Sequence, residues 1–225
     1  MIKTVLFDLD GTLLDRDASL NKFIESQYER LIEWLGHISK QNYMQRFTEL
    51  DNRGYVWKDK VYQQLVMEYD IKDITWEELL QDYLDHFKEN CVPFPHLIRT
   101  LKQLKKRNFS IGIITNGKGK FQMDNIKVLG IDNYTDIILV SEWEGVKKPD
   151  PIIFKRALAQ LNVSPEESIF VGDHLEKDVQ AAQKVGMKGV WKRNDHWEKE
   201  LQTDLIVDDL AEVLTITNKL NSVLF

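Results

Sequence analysis

Six short runs rich in valine and isoleucine punctuate the chain, and five of them fall after residue 95. They are Thr4–Phe7, Phe109–Ile114, Ile137–Val140, Ile169–Val171, Gly189–Trp191 and Leu205–Val207. Runs this short and this continuously apolar suit strands buried on both faces, as in a parallel sheet. Helical patterns separate them. Leu97, Leu101 and Leu104 recur at helical spacing, as do Phe154, Ala157, Leu158 and Leu161. Gly130 and Gly186 stand where C-terminal helix caps belong. Strands alternating with helices predict a Rossmann-like α/β core, a parallel sheet covered on both sides.

Residues 16–90 break this rhythm. Leu20, Ile24, Leu31 and Leu35 predict one helix face, with Gly36 ending the helix. Tyr43, Phe47 and Leu50 mark a second helix, and Val61, Leu65 and Trp57 a third. Thr75 and Glu78 have the spacing of a capping box ahead of Leu79, Leu80, Tyr83, Leu84 and Phe87. Pro93 and Pro95 cannot continue that last helix. The expected organisation is an α/β core from 1–15 and 91–225, with a small all-helical domain, 16–90, inserted after the first strand.

Composition narrows the classes. The chain has 225 residues, of which 43% are hydrophobic, enough for a folded core. A net charge of −6 argues against the basic footprint of a protein that binds a nucleic-acid polymer or an anionic membrane. The lone cysteine, Cys91, excludes an intrachain disulfide and any zinc site built from several cysteines. The start, MIKTVLFDLD, lacks a signal-peptide core, and no apolar run reaches a membrane span, so a cytoplasmic protein is expected.

Three apolar runs end alike: the first at Asp8, the second at Thr115-Asn116, the fourth at Gly172-Asp173. Ligands of open parallel sheets bind beyond the carboxyl ends of the strands, so these polar tips are candidates for one site. Asp8 and Asp10 are two apart, and in extended chain such residues point to the same side. The spacing alone is cheap, because the chain has 20 aspartates and repeats Asp-x-Asp at Asp15 and Asp17. Gly11 adds weight, since glycine permits a sharp turn and a close approach to a ligand. Other features have ordinary readings. Thr115 and Asn116 could cap a helix, Asp173 and Asp178 could complement a helix dipole, and Lys147-Lys148 could be a solvated loop. The segment Asn116–Lys120 lacks the spacing of a phosphate loop. Trp143, Trp191 and Trp197 read as packing, and His174 as a residue beside the site or on the surface.

The string Phe7-Asp8-Leu9-Asp10-Gly11-Thr12-Leu13-Leu14-Asp15 resembles the first motif of the haloacid dehalogenase (HAD) superfamily, in its phosphatase branch. Ile113–Gly117, Lys147–Pro151 and Val171–Asp178 resemble the second, third and fourth motifs, in order. The helical insertion is similar to the C1-type cap, and the whole pattern to pyrimidine nucleotidases and N-acylneuraminate phosphatases. The resemblance implies Asp8 as nucleophile and Asp10 as general acid and base. It implies Mg²⁺ held by Asp8, the main-chain carbonyl of Asp10 and Asp173, with Asp178 behind them orienting waters or Lys148. Thr115, Asn116 and Lys148 would receive the phosphoryl group, Lys148 being chosen over Lys147 because it directly precedes proline. The implied substrate is a small phosphorylated metabolite, and the implied partner at most a second copy, giving a monomer or homodimer.

Within the insertion, the segment Arg46–Lys58 joins arginines to aromatics around Gly54. It could serve a nucleotide or other ring-bearing phosphate, with Arg53 as a donor, or be a plain interhelical turn. Three rival functions stand beside the phosphatase. A haloacid dehalogenase usually lacks the second aspartate. A phosphoglucomutase-like enzyme would keep the phosphoryl group for a second substrate. A non-catalytic phospho-ligand binder has no need of both a nucleophile and an acid.

Overall fold

The computed structural model describes residues 1–194 and 203–222. Trp197 lies outside them. The chain divides into two compact units, Met1–Asp15 with Pro93–Phe225, and Arg16–Val92. The return to the first unit falls at Pro93, two residues after the expected boundary.

The first unit is a six-stranded parallel sheet in the order β3-β2-β1-β4-β5-β6. The strands are β1 (Thr4–Phe7), β2 (Ser110–Thr115), β3 (Ile137–Val140), β4 (Ser168–Gly172), β5 (Lys188–Lys192) and β6 (Ile206–Val207). Each coincides with one of the six apolar runs. β1 lies between β2 and β4, in register Phe7 to Ile113 and Phe7 to Val171, so the three tips end level. All four β1 residues and all five of β4 are buried, as strands covered on two sides must be.

One face of the sheet carries Leu6, Ile114, Leu139 and Phe170 in a cluster with Ile153, Phe154 and Ala157 of the helix Pro151–Leu161. Phe154 meets Phe170 edge-on, ring centres 5.1 Å apart, a favoured aromatic geometry. Asp150 starts that helix by accepting the N–H of Ile152, and Asn162 in the left-handed region ends it.

The second unit is wholly helical among its described elements: Arg16–Arg30, Ile32–Leu35, Lys40–Asp51, Lys58–Tyr69 and Trp76–His86, with short 3₁₀ turns. Its core is aromatic, with Phe23, Tyr43, Phe47 and Tyr62 fully enclosed. The amide of Gln27 satisfies this core: its oxygen accepts from the Tyr43 and Tyr62 hydroxyls, and its nitrogen donates to Leu79 O and Asp82. A second buried polar knot joins Asp51 to Arg16, in two bonds of 2.8 and 2.9 Å, and to the enclosed ammonium of Lys58. The Thr75–Glu78 capping box forms in both directions.

The expected first helix is interrupted. Leu31 leaves helical geometry (φ −106°, ψ 26°) and the chain restarts at Ile32, so Leu31 and Leu35 do not extend one continuous face. Trp57 is 38% exposed rather than a core position, and Tyr62 fills that role. The polar segment is also revised. Arg46 is taken up by Glu68 and Glu49, and Phe47 is fully buried, which removes both from any ligand-facing set. Arg53, Tyr55 and Trp57 remain exposed. No described helix is long and apolar enough to cross a membrane.

Candidate active site

Asp8 is the first residue beyond β1, and its N–H continues the ladder to Val171 O at 2.9 Å. Leu9 next to it is fully buried, whereas Asp8 and Asp10 face the other way, at the tip of the sheet. The chain then turns sharply. Leu9 O accepts the N–H groups of Thr12, Leu13 and Leu14, and Gly11 N–H bonds Leu14 O. Gly11 has φ +84°, and a Cβ there would stand 2.5 Å from Asp173 Oδ2. Only glycine lets the Asp173 carboxylate lie against this turn.

Lys148 enters from the loop after β3. Its ammonium is 2.6 Å from Asp8 Oδ1 and 2.7 Å from Asp178 Oδ1, with the side chain 3% exposed. Lys147 is exposed. Asp178 lies on the π-helical turn Leu175–Gln180 and accepts the N–H of His174 at its other oxygen, 3.0 Å away. His174 caps that turn by accepting the N–H of Lys177 at Nδ1.

Asp173 directly follows β4. Asn194 donates to its Oδ2, and the Trp191 indole donates to its carbonyl, both at 2.9 Å. Trp191 is therefore both buried packing and a support for this loop. Trp143 is not packing in that sense: it is 56% exposed, its ring laid across Gly119.

Thr115 closes β2 and is 1% exposed. The Asn116 side chain exchanges two hydrogen bonds of 2.9 Å with the backbone of Lys148. That amide clamps the lysine loop. Gln122, on the helix Gly119–Val128, donates to Asp10 Oδ2 at 2.6 Å, Thr115 Oγ1 at 3.0 Å and Asn116 O at 3.1 Å. Sequence reasoning passed over Gln122, because glutamine on a helix carries no motif; Asn194 was missed for the same reason.

All seven sequence-predicted residues, Asp8, Asp10, Thr115, Asn116, Lys148, Asp173 and Asp178, thus meet at the carboxyl ends of β1, β2 and β4. The electrostatics are lopsided. Burial pushes the Asp8 carboxyl up to about 7; Lys148 opposes this, and Asp178 and Asp10 add to it. Burial, then Asp8 and Asp178, hold Asp173 well above the usual carboxylate range. Burial works against the charge of Lys148, but Asp178 and Asp8 outweigh it and hold its ammonium above the ordinary lysine value.

Oxygens of Asp8, Asp173 and Asp178 lie within 4.8 Å of one another. Three carboxylates around one ammonium leave negative charge to spare, a donor set of hard oxygens that fits a hard divalent cation. Asp178 is bonded at both oxygens, to Lys148 and to the His174 N–H, while Asp8 binds Lys148 at Oδ1 and Asp173 binds Asn194 at Oδ2. The Asp10 side chain is held at Oδ2 by Gln122, and the metal role expected of Asp10 falls to its backbone carbonyl.

Comparison with known proteins agrees with this arrangement. The family model described as haloacid dehalogenase-like hydrolase matches residues 5–192. The chain is 32% identical over 235 residues to a glyceraldehyde 3-phosphate phosphatase of Pyrococcus furiosus, covering 98% of this chain and 95% of the relative. It is 28% identical to a phosphoglycolate phosphatase of Aquifex aeolicus, covering 83% of each. Among solved structures, a HAD phosphatase from Thermococcus onnurineus superposes with a TM-score of 0.68 at 30% identity, over 96% of this chain and 98% of that one.

Proposed function

Since the chain belongs to the haloacid dehalogenase-like hydrolases, and is a phosphatase among them, we propose that it hydrolyses a small phosphomonoester through a phosphoryl group carried on Asp8. The observation that carries this reading is the salt bridge of Lys148 to Asp8 at 2.6 Å, with Thr115 and Asp173 on the flanking strand ends.

An ionised Asp8 attacks phosphorus, and the ester oxygen leaves with the bonding pair. Asp10 gives that oxygen its proton, then takes one from the water that releases orthophosphate from Asp8. Lys148 stabilises charge on the transferring oxygens, and the Thr115 hydroxyl and Asn116 backbone N–H donate to them. Asp8, the Asp10 carbonyl and Asp173 would hold Mg²⁺. When bound, it favours the charged form of Asp8 and neutralises phosphoryl oxygens.

For the substrate we favour a short aliphatic phosphate, in a cytoplasmic monomer or homodimer. Two observations support it over a nucleotide. Of the segment's arginines and rings, Arg46 and Phe47 are engaged within their own unit, which leaves Arg53, Tyr55 and Trp57 exposed. The relatives named above carry two- and three-carbon phosphates in their names.

A panel of phosphomonoesters assayed for orthophosphate tests the proposal. Turnover should need Mg²⁺, vanish in EDTA and vanish in Asp8→Asn. Retained turnover in Asp8→Asn would exclude covalent transfer to this residue. Preference for a nucleoside monophosphate over glyceraldehyde 3-phosphate and phosphoglycolate would overturn the substrate class.

A further inference from the structure

Gln122 is 3% exposed and reaches Asp10 through the shortest of its contacts, 2.6 Å from Nε2 to Oδ2. The orientation of a side-chain amide follows from what surrounds it. Here one neighbour is decisive. The backbone oxygen of Asn116, 3.1 Å away, can only accept, so the nitrogen must face this side. The Thr115 hydroxyl lies 3.0 Å from the same nitrogen, whose two hydrogens it shares with Asp10 and Asn116. Turned over, the amide would set its oxygen against the Asn116 carbonyl and the Asp10 carboxylate together. The opposite end has no such constraint, for Gln122 Oε1 is buried with no hydrogen-bond partner among the described residues. The segment beside it leaves no slack, since a Cβ on Gly117 would come within 2.7 Å of Gln122 Nε2.

From this geometry we infer that Gln122 is a positioning residue that fixes the orientation of the Asp10 side chain by holding its Oδ2. With Oδ2 held by the Gln122 amide at 2.6 Å, Oδ1 is the oxygen left to exchange a proton when Asp10 acts as acid and then as base. The inference rests on the general-acid reading of Asp10 given above. In the first half-reaction a bond forms from Asp8 to phosphorus. The ester P–O bond breaks with its electron pair going to the leaving oxygen, and the Oδ1 proton passes to that oxygen, releasing an alcohol. Asp10 is then a carboxylate, still bonded at Oδ2, with Oδ1 free to take a proton from water. The same amide fixes Thr115, so the acid and one phosphoryl-binding residue share one brace.

The test exploits the leaving group. An alkoxide needs a proton to depart and a dinitrophenolate does not. The constant kcat/KM reports the steps through transfer to Asp8, and is measured with glycerol phosphate and with 2,4-dinitrophenyl phosphate. Gln122→Met keeps the length and removes the donor; Gln122→Glu keeps the shape and puts an acceptor against Asp10. Thermal melts confirm folding, and either variant suffices if the other fails to fold. The expected result is a loss of about 10- to 100-fold on the alkyl ester and less than about 3-fold on the aryl ester, the scale of a misplaced catalytic group. Asp10→Asn, run in parallel, should show the same contrast more strongly. If Asp10→Asn shows it and the Gln122 variants lose both esters equally, or neither, Gln122 does not position the acid. If Asp10→Asn itself loses both equally, the general-acid reading fails instead.

Discussion

Asp8 and Lys148 illustrate how one residue pair couples chemistry to stability. A carboxyl group raised from 3.8 to about 7 keeps its proton in the folded state after the unfolded chain has released its own. Stability of the metal-free protein must therefore fall as pH rises from about 4 toward 7. Asp173, raised in the same direction, adds to the slope. Lys148 adds none there, because a raised ammonium contributes fully below the ordinary lysine value and loses its contribution only above it. Melting temperature in EDTA should thus drop between pH 5 and 7.5. Asp8→Asn should flatten the drop, and so should Mg²⁺. A flat profile in EDTA would show that Asp8 titrates normally. Lys148→Met removes the cation that Asp8 and Asp178 share. It should lower kcat by about 100-fold or more, the scale of a lost charge stabiliser. It should also destabilise more at pH 8 than at pH 5, where the carboxyls can accept protons; calorimetry at the two values checks this.

Elements differ in how openly the sequence declares them. All six strands were readable because a strand buried on both faces needs an unbroken apolar run, and little else in a chain produces one. The Thr75 cap was readable because its chemistry is local; Thr75→Ala should cost about 1 kcal/mol in urea unfolding. The break at Leu31 was not, since leucine satisfies a helical pattern on either side of a turn. Trp57 misled for a related reason, its apolar ring being counted as core where the chain merely enters a helix. Of the site, the aspartates, Thr115 and Lys148 were marked by motif and position. The bracing residues Gln122 and Asn194 were not, because a side-chain amide reveals its role only through its partners in space. The Asp51 knot belongs here too. Burial raises its carboxyl, but Lys58 and Arg16 together pull it below the usual range. Its stabilising contribution is present above that range and is lost as pH falls through it. Asp51→Asn should leave Lys58 buried without its anion and cost about 3 kcal/mol or more in denaturant unfolding at pH 7. The deficit should narrow in acid; an equal deficit at pH 3 would mean the charge on Asp51 is idle.

For the whole molecule, the joins between the two units matter most. Within the sheet unit, Leu14 bridges Pro93 and Phe94 N–H bonds Leu13 O at 3.0 Å. Within the helical unit, Val92 N–H bonds the Ser19 hydroxyl at 2.8 Å. Each unit therefore brings its own two ends together. Replacing residues 16–92 by a short glycine linker should yield a soluble chain that keeps the strand signature in circular dichroism. Residues 16–92 alone should fold as a helical domain. Failure of both to fold would show that each unit depends on the other. The adjacency of Leu14 and Pro93 has a further meaning for descent. To the sheet, everything threaded between those two residues is one long hairpin loop, and lengthening a loop costs entropy only as the logarithm of its size. Chains built on this sheet could trade the threaded segment for another of different size or selectivity while leaving every strand pairing in place.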